Sequence, residues 1–134
     1  MQKIKLICIG NVKEKYFLDA INEYTKRLSR FCDFSVVEIK ECLLKGGVGE
    51  QQVINKESDE ILEKMEGAFN CLFDLRGKEI TSVELAEVIK KRANFSDSKI
   101  NFIIGGSLGV NEEVVKKSDL IIRVGKLTFP HQLM

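Results

Sequence analysis

The chain has 134 residues, of which 44% are hydrophobic, and this predicts one domain that is large enough to bury a core of its own. No apolar run approaches the roughly 20 residues that cross a bilayer, and the apolar stretch near the amino terminus is too short for a secretory signal, so we expect a cytoplasmic protein with no membrane partner. The formal net charge is +1, so any surface that binds nucleic acid must be a local patch.

The four cysteines and the single histidine restrict redox and metal chemistry. Cys8, Cys32, Cys42 and Cys71 form no C-x-x-C pair, and three of them lie in or beside apolar runs that are typical of buried strands. We therefore predict free thiols in a reducing compartment. Because a zinc site would have to gather scattered ligands around His131, we predict no metal.

Hydrophobic patterns typical of strands and of helices alternate along the chain. β-prone runs predict five strands, over residues 3–10, 34–39, 70–75, 99–104 and 119–124. Apolar residues at helical spacing predict helices across 17–31 and 51–65, a third that begins after Thr81, and a short fourth over 111–117, with a loop at 44–49. This order predicts an α/β fold with a mostly parallel sheet flanked by helices on both faces.

Local signals add detail to these elements. Thr81 and Glu84 match the S/T-x-x-E capping box of a helix start, and Asn111 can cap the short fourth helix. The third strand is expected to be broken by the segment 76–78, Arg-Gly-Lys. In the second helix four apolar residues are expected to face the core: Ile54, Ile61, Leu62 and Met65.

Three segments that follow strands have an unusual composition. They are DLRGK (74–78) after the third strand, GGSLG (105–109) after the fourth and VGKLTFPHQ (124–132) after the fifth. Ligands bind beyond the carboxyl ends of parallel strands, so these loops are the candidate site. Neither the dinucleotide fingerprint G-x-G-x-x-G nor the phosphate loop G-x-x-x-x-G-K-[ST] fits them. Taken alone, G-G-x-x-G after a strand is more often a tight connection to a helix than a binding loop.

The combination of motifs is more specific than any one of them. IIGGSLG, followed by a short helix and strand and then LTFPHQLM, closely resembles the bacterial 23S ribosomal RNA pseudouridine N3-methyltransferases of the SPOUT superfamily. KIKLICIGNVK and FDLRGK extend the resemblance over nearly the whole chain. The resemblance implies an SPOUT-type carboxyl-terminal trefoil knot, which is an exception to the rule that chains avoid threading, and a homodimer. It also implies S-adenosylmethionine as the cofactor, N3 of a pseudouridine as the methyl acceptor, and ribosomal RNA in the large subunit or the assembled ribosome as the partner.

The motif match carries the family's cofactor-binding positions onto the three candidate loops. Backbone amides and carbonyls of glycine-containing loops suit the edge of an adenine, and apolar side chains would form the desolvated walls. Without the resemblance, Phe73 and Leu127 fit ordinary core positions equally well. The implied cofactor-binding residues are Phe73, Gly105, Val124, Gly125, Lys126, Leu127, Thr128 and Phe129.

His131 is the candidate catalytic residue, because the N3 proton of the acceptor must leave before or during attack and the chain has no other imidazole. Since it follows Pro130 at a predicted helix start, His131 fits a capping or bracing role equally well. Arg76, Lys126 and Arg123 are candidates to hold RNA phosphates or the methionine carboxylate, and each fits an ordinary solvated cation as well.

Residues 1–134 are predicted to form a single SPOUT methyltransferase domain that lacks its last helix and tail. Pro130 begins a predicted helix that stops at Met134, whereas the family continues with a further helix and a basic, aromatic tail. Two alternatives stay open at this point. One is a non-enzymatic module that binds RNA or protein, and the other is a transfer RNA methyltransferase of the same superfamily.

Overall fold

The computed structural model describes residues 1–44, 46–95 and 98–134, so Lys45 of the predicted loop 44–49 lies outside the described residues. The strands are β1 (Lys3–Ile9), β2 (Asp33–Ile39), β3 (Phe69–Lys78), β4 (Lys99–Ile104) and β5 (Leu120–Ile122). The helices are α1 (Lys15–Leu28), α2 (Glu50–Lys64), α3 (Ser82–Ala93) and α4 (Glu112–Lys117). All five predicted strands and the four helices predicted up to residue 117 are therefore present, with differences at the ends of the elements, whereas the helix predicted to begin at Pro130 is not formed and residues 131–133 make a turn.

The five strands form one parallel sheet in the order β2-β1-β4-β3-β5. Right-handed crossovers in this order place α1 and α3 on one face of the sheet and α2 and α4 on the other. The predicted α/β class, a parallel sheet flanked by helices, is confirmed. The trefoil knot is not visible in the described residues and stays a prediction.

The face under α2 and α4 holds the main apolar core. Alternate residues of neighbouring strands point to this face, and Ile7, Leu72 and Ile103 on it have no exposed surface. Ile61 of α2 and Val114 of α4 pack over them and are equally buried. This packed layer holds β3 and β4 in place, and two of the three candidate segments lie at the carboxyl ends of these strands.

Helix α2 buries most of its predicted inward side. Ile61 and Met65 are buried, and Leu62 packs against the core while partly exposed. Ile54 is only half-buried, and its neighbour Val53 is buried instead. The inward face is therefore rotated slightly from the predicted one.

The face that carries α1 and α3 is less completely covered. Helix α1 contacts β2, yet none of its residues is buried. Tyr24 of this helix and Phe31, three residues after its end, are 62% and 75% exposed. On the sheet itself, the half-buried rings of Phe73 and Phe102 stack with their centroids 5.9 Å apart. The described residues thus leave an apolar surface open on this side.

Strand β3 differs from the prediction, because it continues through Arg-Gly-Lys to Lys78 instead of breaking there. Its pairing with β5 shifts register between Phe73 and Lys78. A Cβ on Gly77 would lie 2.5 Å from the carbonyl carbon and oxygen of Ile121. Glycine at position 77 therefore serves the close approach of β5 and is not a strand break.

The predicted helix caps are confirmed. The Glu84 N–H donates to Thr81 Oγ1 at 3.0 Å, and the Thr81 N–H donates back to Glu84 Oε1 at 3.1 Å, which completes a capping box at α3. At α4 the Val114 N–H donates to Asn111 Oδ1 at 3.2 Å. These caps fix where the loops after β3 and β4 enter their helices.

All four thiols are free, as predicted. Burial raises the pKa of Cys71 to about 12, so this thiol is a neutral part of the core at physiological pH. Among the described residues, no helix is long and apolar enough to cross a membrane, and no group of three or more His, Cys, Asp or Glu side chains is placed to hold a metal ion.

Candidate functional site

A cleft of about 820 Å³ lies at the carboxyl ends of β4, β3 and β5, which are neighbours in the sheet. Its walls are residues 73–76, 104–110, 122–125 and 127–131, together with Met134. All three candidate segments, the end of β3 and the loops after β4 and β5, therefore contribute to one cavity. Its size falls within the roughly 300–1,000 Å³ that is usual for small-molecule sites.

The structure places all but one of the sequence-predicted site residues on this cleft. Phe73 comes from β3 and Gly105 from the loop after β4. Lys126 lies in the third loop, between the wall residues Gly125 and Leu127, but is not itself part of the wall. The remaining predicted residues that line the cleft are Val124, Gly125, Leu127, Thr128, Phe129 and His131. Their individual roles stay predictions.

The GGSLG segment forms a tight turn at the cleft wall. The Gly109 N–H donates to the Gly106 carbonyl at 3.0 Å, and Gly109 has a φ of +83°, in the left-handed region that favours glycine. A Cβ on Gly105 would lie 2.9 Å from Val110 Cγ1, inside the same turn. The two interpretations of the motif are thus compatible, because the tight connection to α4 also builds one wall of the cavity.

The end of this turn is tied to helix α2. The Asn111 N–H donates to the hydroxyl oxygen of Ser58 at 3.0 Å, and Ser58 is fully buried. The Val110 side chain is 7% exposed and belongs to the core. Helix α2 therefore holds the residues that follow the GGSLG turn in place.

Arg76, a candidate to hold RNA phosphate or the methionine carboxylate, forms hydrogen bonds with protein groups. Its Nε donates to Asp74 Oδ1 at 2.8 Å and its Nη2 to Asp74 Oδ2 at 2.9 Å. Nη1 donates to Glu112 Oε1 at 3.1 Å, and Nη2 also reaches the Val110 carbonyl at 3.2 Å. The hydrogen bonds from Arg76 hold the pKa of Asp74 below its usual value, so this carboxyl is ionised at neutral pH.

The other two candidate cations differ from each other. Arg123 lines the cleft and forms an ion pair with Glu79, with 3.1 Å between Nη2 and Oε1, while its buried Nε has no hydrogen-bond partner among the described residues. Lys126 is exposed and forms no hydrogen bond or ion pair within residues 1–44, 46–95 and 98–134. Of the three cations, Lys126 is the one whose charge is available to a ligand.

The turn that carries His131 is short. The N–H groups of Leu133 and Met134 donate to the Pro130 carbonyl at 3.0 and 3.2 Å, so a single turn follows Pro130 where the sequence predicted a helix. His131 is half-buried on the cleft wall.

Glu57 of α2 is a buried carboxyl group next to the site that the sequence interpretation missed. It is 4% exposed, and its Oε2 accepts a hydrogen bond from the Cys42 N–H at 3.0 Å. A Cβ on Gly106 would lie 2.7 Å from Glu57 Oε1, so this carboxyl packs against the GGSLG turn. The available signal was its spacing, because Glu57 lies four residues from both Val53 and Ile61 on one helical face.

Burial raises the pKa of Glu57 above its usual value, and the nearby Glu41 and Glu60 act in the same direction. The hydrogen bond from Cys42 and the charge of His131 oppose this shift. The ionised form is therefore less favourable in the folded protein than in the unfolded chain, so folding loses stability as the pH rises above the usual carboxyl range.

We expect the substitution Glu57→Gln to raise the free energy of unfolding at pH 8 and to change the pH dependence of stability. The amide is neutral at every pH, and its carbonyl can still accept the Cys42 N–H, whereas wild-type Glu57 must ionise as the pH rises. Urea unfolding of both proteins at pH 4 and pH 8 measures the effect, with the advantage of the variant growing between them. A variant that is less stable at pH 8 would show that the ionised carboxylate makes a favourable pair that outweighs its burial.

Comparison with known proteins gives consistent matches over the chain. The sequence model of a family described as "Predicted SPOUT methyltransferase" matches residues 2–134. A protein of Caldicellulosiruptor bescii is 44% identical over 131 residues, which cover 97% of this chain and 84% of the relative. Proteins of Fusobacterium nucleatum and Lactiplantibacillus plantarum are 41% and 42% identical, over 98% of this chain and 84% and 85% of their own lengths. All three relatives are named "Ribosomal RNA large subunit methyltransferase H".

Proposed function

This chain belongs to the SPOUT methyltransferase family, and we propose that it transfers a methyl group from S-adenosylmethionine to N3 of a pseudouridine in 23S ribosomal RNA of the large subunit. One observation carries the proposal beyond the family match. The three segments that the sequence singled out, which are the carboxyl-terminal part of β3 and the loops after β4 and β5, meet at a single cleft, where a parallel sheet presents its ligand site.

The cleft suits a nucleoside-containing methyl donor. Phe73, Leu127 and Phe129 supply apolar wall, and Gly105 and Gly125 leave backbone amides and carbonyls open to a flat base. A Cβ on Gly125 would meet nothing within 4 Å, so a ligand can approach the backbone closely at this residue. S-adenosylmethionine, when bound, supplies an electrophilic methyl group on a sulfonium cation.

The residues of this chain would work mainly by alignment and exclusion of water. Holding an acceptor nitrogen in line with a methyl carbon can contribute effective molarities of roughly 10⁵ M or more. His131 on the wall is the group proposed to take or hold the N3 proton of the acceptor. Lys126, exposed in the third loop, is proposed to contact RNA phosphate.

We further propose that the chain acts as a homodimer in the cytoplasm, on the large subunit or the assembled ribosome. Three aromatic residues on the side of the sheet that carries α1 support an apolar contact between two copies: the exposed Tyr24 of α1, the exposed Phe31 after it and the half-buried Phe102. Sedimentation of the purified chain at micromolar concentration separates a dimer from a monomer.

The function is tested by incubating the purified chain with radiolabelled S-adenosylmethionine and ribosomes from a strain that lacks a methyltransferase of this family. We expect label in 23S RNA, and N3-methylpseudouridine among its nucleosides by mass spectrometry. Label in transfer RNA instead would support a transfer RNA methyltransferase. Failure of the chain to bind S-adenosylmethionine by calorimetry would support a non-enzymatic module.

A further inference from the structure

We propose that Arg76 is a positioning residue, which clamps the end of the GGSLG turn (105–109) to strand β3 and so holds the donor cleft in its binding shape. The inference rests on the proposed function and deepens it, because it identifies the side chain that joins the end of β3 to the segment after the GGSLG turn. Arg76 would act through the loop it holds and not by contact with RNA.

The geometry of the guanidinium supports a clamp. Its planar fork meets both carboxylate oxygens of Asp74, at 2.8 and 2.9 Å, and the Arg76 backbone N–H also donates to Asp74 Oδ1 at 2.9 Å. This paired arrangement fixes the orientation of the fork on β3. The remaining donors then reach across the cleft edge to the Val110 carbonyl at 3.2 Å and to Glu112 at 3.1 Å.

The segment that Arg76 holds is also held from the opposite side. The buried hydroxyl of Ser58 accepts the Asn111 N–H at 3.0 Å, and the Val110 side chain is packed in the core. Residues 110–112 are thus held by α2 on one side and by Arg76 on the other. Without Arg76, the Val110 carbonyl would lose this partner and the end of the turn could move away from β3.

The same contacts argue against a phosphate ligand. Asp74 is 15% exposed and ionised, so the charge of Arg76 is already balanced at close range. An RNA phosphate would have to displace the Asp74 carboxylate to bind Arg76. The exposed Lys126 has no carboxylate partner among the described residues, so a phosphate could bind it without such a displacement. Experiment can therefore distinguish a cation that binds RNA phosphate from one that holds the donor-binding loop in place.

The test compares Arg76→Lys and Arg76→Gln with the matched control Arg27→Lys, which alters an exposed arginine paired with Glu23 on α1. Lysine keeps the charge but has no planar fork, so it cannot hold Asp74 and Val110 together. We expect both Arg76 variants to bind S-adenosylmethionine about tenfold more weakly by calorimetry, and the control to match wild type. The KM for ribosomal substrate should stay within about twofold of wild type, with the same dependence on salt.

A raised KM for the ribosomal substrate with unchanged donor affinity would overturn the clamp and make Arg76 a phosphate ligand. Unchanged values for both substrates would also overturn it. Asp74→Asn keeps the shape of the partner of Arg76 and removes its charge, so it should also weaken donor binding. It provides a second test of the clamp if an Arg76 variant folds poorly. If the wild-type chain itself binds no S-adenosylmethionine, the proposed function fails, and that outcome is distinct from loss in the variants alone.

Discussion

The substitution Gly77→Ala is expected to lower the free energy of unfolding by about 3 kcal/mol and the Tm by roughly 10 °C. The added Cβ would lie 2.5 Å from the carbonyl carbon and oxygen of Ile121 and 2.7 Å from its Cγ2. Because the two nearest atoms are backbone, no change of side-chain rotamer relieves the contact, and β5 itself must move. The third loop of the cleft follows β5, so donor affinity should fall together with stability.

Gly46→Ala is the matched control for this experiment. A Cβ on Gly46 would meet nothing within 4 Å, and its backbone does not require the left-handed region. We expect its stability to lie within about 1 kcal/mol of wild type, because alanine also restricts the unfolded chain. Thermal and urea unfolding of the two variants measure the difference. Equal Tm values would show that β5 does not pack against Gly77.

The architecture was predictable because its determinants are local. Strand β4 has the predicted bounds, since a short apolar run ends directly at a glycine pair. Thr81 and Asn111 mark helix starts through hydrogen bonds that span only three residues. Alternation of such elements then leaves a parallel sheet with right-handed crossovers as the natural arrangement.

The buried polar groups of α2 were not predictable by the same method. A search for apolar residues at helical spacing finds Ile61 and Met65 but passes over Glu57 and Ser58, which are equally buried. These two are stabilised by partners from distant segments, the Cys42 N–H and the Asn111 N–H. Only the fold brings such partners close, so burial of a polar residue leaves a weak signal in the sequence.

The role of the DLRGK segment depends on tertiary structure in the same way. Glycine and lysine after arginine look like a strand break, yet the strand continues because β5 approaches Gly77 closely. Arg76 pairs with Glu112, which lies 36 residues further along the chain. Neither contact has a local pattern, whereas the convergence of the three segments followed directly from their positions at the carboxyl ends of parallel strands.

The substitution Gly105→Val is expected to weaken S-adenosylmethionine binding by about a hundredfold, and Gly105→Ala by about tenfold. A Cβ at this position would lie 2.9 Å from Val110 Cγ1 and 3.4 Å from the carbonyl carbon of Gly109. Either side chain must therefore open the GGSLG turn, and the extra methyl groups of valine open it further. Calorimetric titration at low temperature, where both variants are folded, measures the loss separately from any fall in Tm.

The double variant Gly105→Ala/Val110→Ala tests the physical reason for that loss. Truncation of Val110 removes the Cγ1 atom that the new Cβ would meet, so the double variant should bind the donor more tightly than the sum of the two single effects predicts. Additive losses would mean that Gly105 acts through direct contact with the donor and not through the shape of the turn. Wild-type affinity in Gly105→Val would remove Gly105 from the donor site altogether, because a side chain there fills the inside of the turn that builds one wall of the cleft.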